Sequence, residues 1–164
     1  VDTFLAERDV VLNLMNTKPT EARGHYHALN VTVLSLMLGK ELRLKSQAMA
    51  ILGMGSLFHD IGKGRIPIEE LSHGKATAMR YAVQKNYQMH PLLGAKLVKN
   101  FPNFPPQAIH IVLQHHEAVN GKGFPSKLAA DKISPLAKIV SIADSYDTLC
   151  NAKEGRQALT PMKP

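Results

Sequence analysis

Five of the chain's eight histidines, His27, His59, His90, His115 and His116, stand beside acids and glycines where helical periodicity begins or breaks. His59 is followed directly by Asp60 and His115 by His116, and a later apolar stretch carries Asp144 and Asp147. Neutral imidazole gives a metal one directional nitrogen, and a carboxylate gives two oxygens. Mixed ligation of this kind suits iron, manganese or zinc, on one ion or two. Asp60 is the candidate bridge, since its two oxygens can serve two cations. A lone histidine near a helix end is ordinarily a cap or a surface residue. The adjacent His-Asp and His-His pairs, together with acids on an apolar helix, are what point to convergence on a metal.

Residues so far apart in the chain need rigid elements to bring them together. Apolar residues recur at helical spacing: Leu29, Val33, Leu36 and Met37; Ala48, Ile51 and Leu52; Ile109, Val112 and Leu113; Leu136, Val140 and Ala143. The spacing predicts helices over residues 3–16, 25–44, 47–58, 75–87, 91–100, 106–116 and 135–150, and no alternating strand pattern competes. Pro91 and Pro106 suit first helical turns, while Gly62-Lys63-Gly64 and Gly121-Lys122-Gly123 mark loops. The expected fold is all-α, a compact bundle of about seven helices with a metal site between them.

With 164 residues and 45% hydrophobic content, the chain is expected to form one domain over residues 1–164. It starts at Val1 without a basic-then-apolar leader and reads as a fragment of a longer multidomain protein. No apolar run approaches the roughly 20 residues that cross a bilayer. A single cysteine, Cys150, fits a reducing compartment, so the cytoplasm is expected. The net charge of +7 comes from scattered Lys and Arg with few aromatics between them, a weak sign for a nucleic-acid groove. The same excess suits a phosphorylated small ligand.

The ordered motifs resemble those of the HD-GYP domain, a subgroup of the HD phosphohydrolases whose characterised members hydrolyse the bacterial second messenger cyclic di-GMP. HALNV at 27–31 is similar to the family's H-S-x-N-V, HDIGKGRIP at 59–67 to H-D-I-G-K-x-x-I-P, and HPLLG at 90–94 to H-P-x-x-G. HHEAVNGKGFP at 115–125 is similar to H-H-E-x-x-D-G-x-G-Y-P, and VSIADSYDTL at 140–149 to the following helix with its D-x-x-D.

The resemblance implies metal ligation by His27, His59, Asp60, His90, His115, His116 and Asp144, with Asp60 bridging two divalent ions, iron or manganese. Glu117 and Asp147 are placed behind the ligands, orienting a ligand or a neighbouring backbone. Glu21 and His25 form an i, i+4 pair, but Asn30-Val31 sets His27 at the ligand position. Members with a third metal carry a glutamate where Arg23 stands, so two metals are expected. Asp60 and Lys63 are the catalytic candidates, with Lys63 meeting a phosphate as a point charge. The family's R-P-Y-[RK] segment is KEGR here, leaving Lys153 and Arg156 as substrate-binding candidates.

In the 115–125 segment, Gly121, Gly123 and Pro125 keep the family's pattern. Asn120 replaces an aspartate and can still close an Asx-type turn, and Phe124 replaces a tyrosine, keeping the ring without the hydroxyl. The resemblance implies hydrolysis of cyclic di-GMP to linear pGpG or on to GMP, and contact with a diguanylate cyclase domain through this GFP loop; an upstream sensor or regulatory domain is also expected. Two alternatives remain: a catalytically weak domain that binds the nucleotide or a partner protein, and an HD phosphohydrolase acting on another nucleotide.

Overall fold

The computed structural model describes residues 23–66 and 84–150. Five α-helices are named here: α1 (Arg23–Glu41), α2 (Ser46–Leu57), α3 (His90–Val98), α4 (Pro106–Gln114) and α5 (Pro135–Cys150). Short 3-10 turns occupy Ile61–Arg65 and Ala130–Lys132, and residues 84–87 form one helical turn before α3. No strand occurs among the described residues, where the β-type pairing recorded is a single bridge between Asn120 and Ala129. The expected helices at 3–16 and, up to residue 83, at 75–87 lie outside the described residues.

Helix α1 packs against α2 and α5, α2 against α4, and α3 against both α4 and the Ile61–Arg65 turn. Their shared core is Val31, Leu52, Ile111, Ile139, Val140 and Ala143, flanked by Leu34, Leu38, Leu44, Ile51 and Leu136. Burying such side chains contributes roughly 1.5–3 kcal/mol each and sets the helix faces. The inner face of α1 differs from its apolar periodicity. Leu29 is 52% exposed, while Asn30, Val31 and Ser35 are buried. The face that carries His27 toward α5 is therefore partly polar, and hydropathy alone points elsewhere.

Helix α1 also ends three residues earlier than its apolar pattern suggests. Arg43 adopts φ 54, and the Leu44 N–H returns to the Gly39 carbonyl at 3.0 Å, which closes a tight reversal into α2. An arginine rather than the usual glycine holds this left-handed position, so the sequence gives little sign of the stop. The Ile61–Arg65 turn and the start of α3 nearly touch through their backbones. A Cβ on Gly62 would stand 2.0 Å from the His90 carbonyl oxygen, so only glycine lets the 3-10 turn carry Asp60 and Lys63 against the start of α3.

Candidate metal centre

Three helix ends and two helix faces meet around Asp60. His59 and Asp60 follow α2, His90 opens α3, and His115 and His116 follow α4, while His27 projects from α1 and Asp144 and Asp147 from α5. His59, His90 and His115 are fully buried. Each donates its Nδ1–H to the backbone carbonyl three residues earlier: His59 to Ser56 at 2.7 Å, His90 to Tyr87 at 2.6 Å and His115 to Val112 at 2.8 Å. Carbonyls near helix ends lack helical partners, which makes them ready acceptors. Because a carbonyl can only accept, each of these bonds fixes the tautomer and leaves the Nε2 lone pair facing inward.

Those lone pairs gather on the two oxygens of Asp60. Oδ2 lies 3.4 Å from His59 Nε2 and 3.5 Å from His27 Nε2. Oδ1 lies 3.2 Å from His90 Nε2 and 3.7 Å from His115 Nε2. Asp144 spans the same divide, with Oδ1 3.2 Å from His27 Nε2 and Oδ2 3.8 Å from His116 Nδ1. Two ligand groups with metal-compatible spacing result, His27–His59–Asp60 and Asp60–His90–His115–His116, and they share Asp60.

Several features fit a cation. His59 Nε2, His116 Nε2 and Asp60 Oδ1 are buried with no hydrogen-bond partner. Buried polar atoms without partners are costly. His90 Nε2 and His115 Nε2 are only 3.2 Å apart. With both Nδ1 protons committed to carbonyls, two facing lone pairs at that distance repel unless a positive charge lies near.

The electrostatics agree. Burial works against the Asp60 carboxylate, yet His59, His115 and His27 hold its pKa well below the ordinary value. Asp144 is likewise held low, with burial outweighed chiefly by the hydrogen bond to His27. Burial pushes His115 down, and burial together with His115 pushes His116 down, so both rings stay neutral and ligand-ready. His27 goes the other way: burial opposes its charge, but bonds to Asp144, Asp147 and Asp60 raise its pKa to about 10. The carboxylates that hold this proton would hold a metal in its place.

Behind the cluster, Asp147 is 2% exposed and accepts from His27 Nδ1 at 2.7 Å and from Asn30 Nδ2 at 2.7 Å. Glu117 turns away from the cluster and accepts the backbone N–H groups of Ser126 at 2.6 Å and Leu128 at 2.8 Å, pinning the loop 117–128. Within that loop the Asn120 side chain accepts the Lys122 N–H at 3.0 Å, an Asx turn, and Gly121 adopts φ 69. A Cβ on Gly123 would lie 2.5 Å from Glu117 Cα, so glycine is needed for the close approach. The Phe124 ring lies 4.6 Å from His116, and its peptide bond to Pro125 is cis.

Lys63 pairs with Asp60 Oδ2. Two further residues belong to the site: Asn30, marked in the sequence only as part of its motif and seen in the fold to hold Asp147, and Tyr87, which no motif marks and whose ring packs on His90 at 4.8 Å. Lys153 and Arg156 lie outside the described residues, as do Glu21 and the Arg23 and His25 side chains.

The chain matches the HD domain family over residues 6–163. It is 29% identical over 148 residues to a cyclic di-GMP phosphodiesterase of Pseudomonas aeruginosa, an alignment covering 90% of this chain and 35% of that protein. It is 33% identical over 126 residues to the cyclic di-GMP phosphodiesterase response regulator RpfG of Xanthomonas campestris, covering 76% and 32%. A 3'3'-cGAMP-specific phosphodiesterase of Vibrio cholerae is 30% identical over 155 residues, covering 91% and 28%. The chain thus spans about a third of the length of these curated relatives. Among solved structures it is similar to a HDG"Y"P protein from Bdellovibrio bacteriovorus, with TM-score 0.73, 26% identity, and coverage of 90% of this chain and 48% of that one.

Proposed function

The chain belongs to the HD domain family, and on that premise we propose that it is a metal-dependent phosphodiesterase that opens cyclic di-GMP to linear pGpG and then to GMP. The observation that carries the proposal is the division of Asp60, one oxygen facing His27 and His59 and the other facing His90 and His115. Two divalent ions, iron or manganese, would be held by His27, His59, Asp60, His90, His115, His116 and Asp144. When bound, such ions supply Lewis acidity, drawing charge from phosphoryl oxygens and making water a better nucleophile near neutral pH.

The protein's own part is positioning. Helix-end carbonyls aim three imidazoles, Asp147 aims the fourth, and Asp144 with Asp60 supplies the negative charge that attracts cations. Lys63 carries a positive charge at the edge of this cluster; burial opposes that charge, but Asp60 and Tyr87 raise its pKa, so the ammonium persists. It is suited to meet a non-bridging phosphate oxygen of the substrate, with Lys153 and Arg156 as further phosphate or guanine contacts. The Gly121–Pro125 loop, pinned by Glu117, is the surface through which a diguanylate cyclase domain would dock. We place this single domain inside a longer cytoplasmic signalling protein with an upstream sensor, consistent with the greater length of its relatives. No described helix is long and apolar enough to cross a membrane.

A second substrate has specific support, since two relatives named for 3'3'-cGAMP match 91% and 82% of this chain. A turnover assay offering cyclic di-GMP and 3'3'-cGAMP to the metal-loaded chain tests both. Cleavage of cyclic di-GMP that disappears in His59→Ala/Asp60→Ala supports the proposal. Tight binding of the nucleotide without turnover at full metal loading would refute the enzyme and identify a receptor.

A further inference from the structure

Tyr87 carries no motif, yet it occupies a central place in the site. Its ring centre lies 4.8 Å from that of His90, 6.1 Å from His116 and 6.3 Å from Phe124. The Lys63 ammonium stands over the same ring, 5.2 Å from its centre, and is also bonded to Asp60. An ammonium within about 6 Å of an aromatic face is attracted by the ring's quadrupole.

Lys63 needs such a partner. It sits on the Ile61–Arg65 turn between Gly62 and Gly64, with its backbone N–H tied to the Asp60 carbonyl at 2.9 Å, but its four-carbon stem is flexible. Asp60 is shared among four histidines as well as Lys63, so its charge is divided. The Tyr87 ring is a partner outside that competition. It is fixed by packing on His90, whose own bond runs to the Tyr87 carbonyl, so the ring and the ligand histidine form one rigid unit.

We propose that Tyr87 is a positioning residue whose ring holds the Lys63 ammonium beside Asp60, so that the cation is already in place when a phosphodiester reaches the cluster. The inference rests on the reading of Lys63 as a phosphate contact. Such placement lowers the entropy lost on reaching the transition state.

The test is a double-mutant cycle on the metal-loaded chain with cyclic di-GMP. Tyr87→Leu is expected to lower kcat/KM roughly 3- to 30-fold, the range of a partly desolvated cation–π contact. Tyr87→Phe keeps the ring and loses only the hydroxyl, which also faces Lys63; if the ring is the main partner, activity returns to within about threefold of wild type. In a Lys63→Ala chain, Tyr87→Leu should cost less than about twofold more, because its target is gone. Bound metal stays at the wild-type level throughout. Losses that multiply, or metal lost from Tyr87→Leu, would assign the tyrosine to support of His90 and overturn the inference. Lysine-labelled NMR gives a readout independent of turnover: the Lys63 ε-methylene is ring-shifted in the wild type and moves to its solvent position in Tyr87→Leu. If the wild type turns over no cyclic dinucleotide, the proposed function fails by itself, and an unshifted methylene would still refute the contact.

Discussion

Asp147 offers a sharp test of how the site is built, because it bonds to the candidate ligand His27 without being a candidate ligand itself. Its carboxylate accepts His27 Nδ1–H and Asn30 Nδ2–H, both at 2.7 Å, while 2% exposed. A hydrogen bond to a charged group contributes about 1.5–3 kcal/mol, against about 1 kcal/mol for a neutral one. Asp147→Asn can keep one acceptor on His27 but removes the charge, costing about 1 kcal/mol, or roughly fivefold in metal affinity. Asp147→Ala removes both acceptors and frees the imidazole, so affinity should fall about 10- to 100-fold, the usual cost of losing an orienting partner. The loss should fall on the ion beside His27 and His59, because His90 and His115 are aimed by carbonyls that the substitution leaves intact. Chelator competition followed by metal analysis reads this directly. Two equivalents in the wild type should become one in Asp147→Ala at intermediate chelator. Affinity within threefold of wild type in both variants, or equal loss of both ions, would refute the reasoning.

Other perturbations report on other parts of the site. His27 has its pKa raised from 6.5 to about 10, so its pairing stabilises the metal-free fold fully below pH 6.5 and is lost as pH rises through 10. Urea midpoints of metal-free protein should therefore drop between pH 7 and 10, while metal affinity rises with pH and calorimetry in two buffers shows proton release on binding. Glu117→Gln keeps one acceptor for the Ser126 and Leu128 N–H groups and should cost about 1–3 kcal/mol in urea unfolding, with metal content unchanged. Gly62→Ala drives a Cβ into the His90 carbonyl and should displace α3, lowering metal content on the His90 side; crystals or metal analysis matching the wild type would contradict that packing.

The candidate metal ligands are legible in the sequence because each lies in a short motif, and five of them, His59, Asp60, His90, His115 and His116, lie at helix ends, where a residue type and its neighbours determine direction. His59-Asp60 and His115-His116 need no tertiary knowledge to be noticed. Helix α5 is also legible, since Leu136, Val140 and Ala143 recur on one face and Pro135 opens it. The inner face of α1 is not, because Asn30 and Ser35 take buried positions that hydropathy assigns to leucines such as Leu29. Asn30 marks the motif's register in the sequence, and only the folded chain shows its amide on Asp147. Tyr87 is invisible for the same reason: its partner Lys63 is brought over the ring by the fold. Glu117 grips backbone amides, which have no side-chain signature at Ser126 or Leu128.

The measurement that bears most directly on the account is turnover of cyclic di-GMP as a function of metal bound per chain, starting from anaerobically prepared metal-free protein. Because Asp60 faces both histidine groups, activity should stay near background through the first equivalent, rise with the second, and vanish in Asp60→Ala. Full activity with one metal per chain, or two metals bound and no turnover, would contradict it.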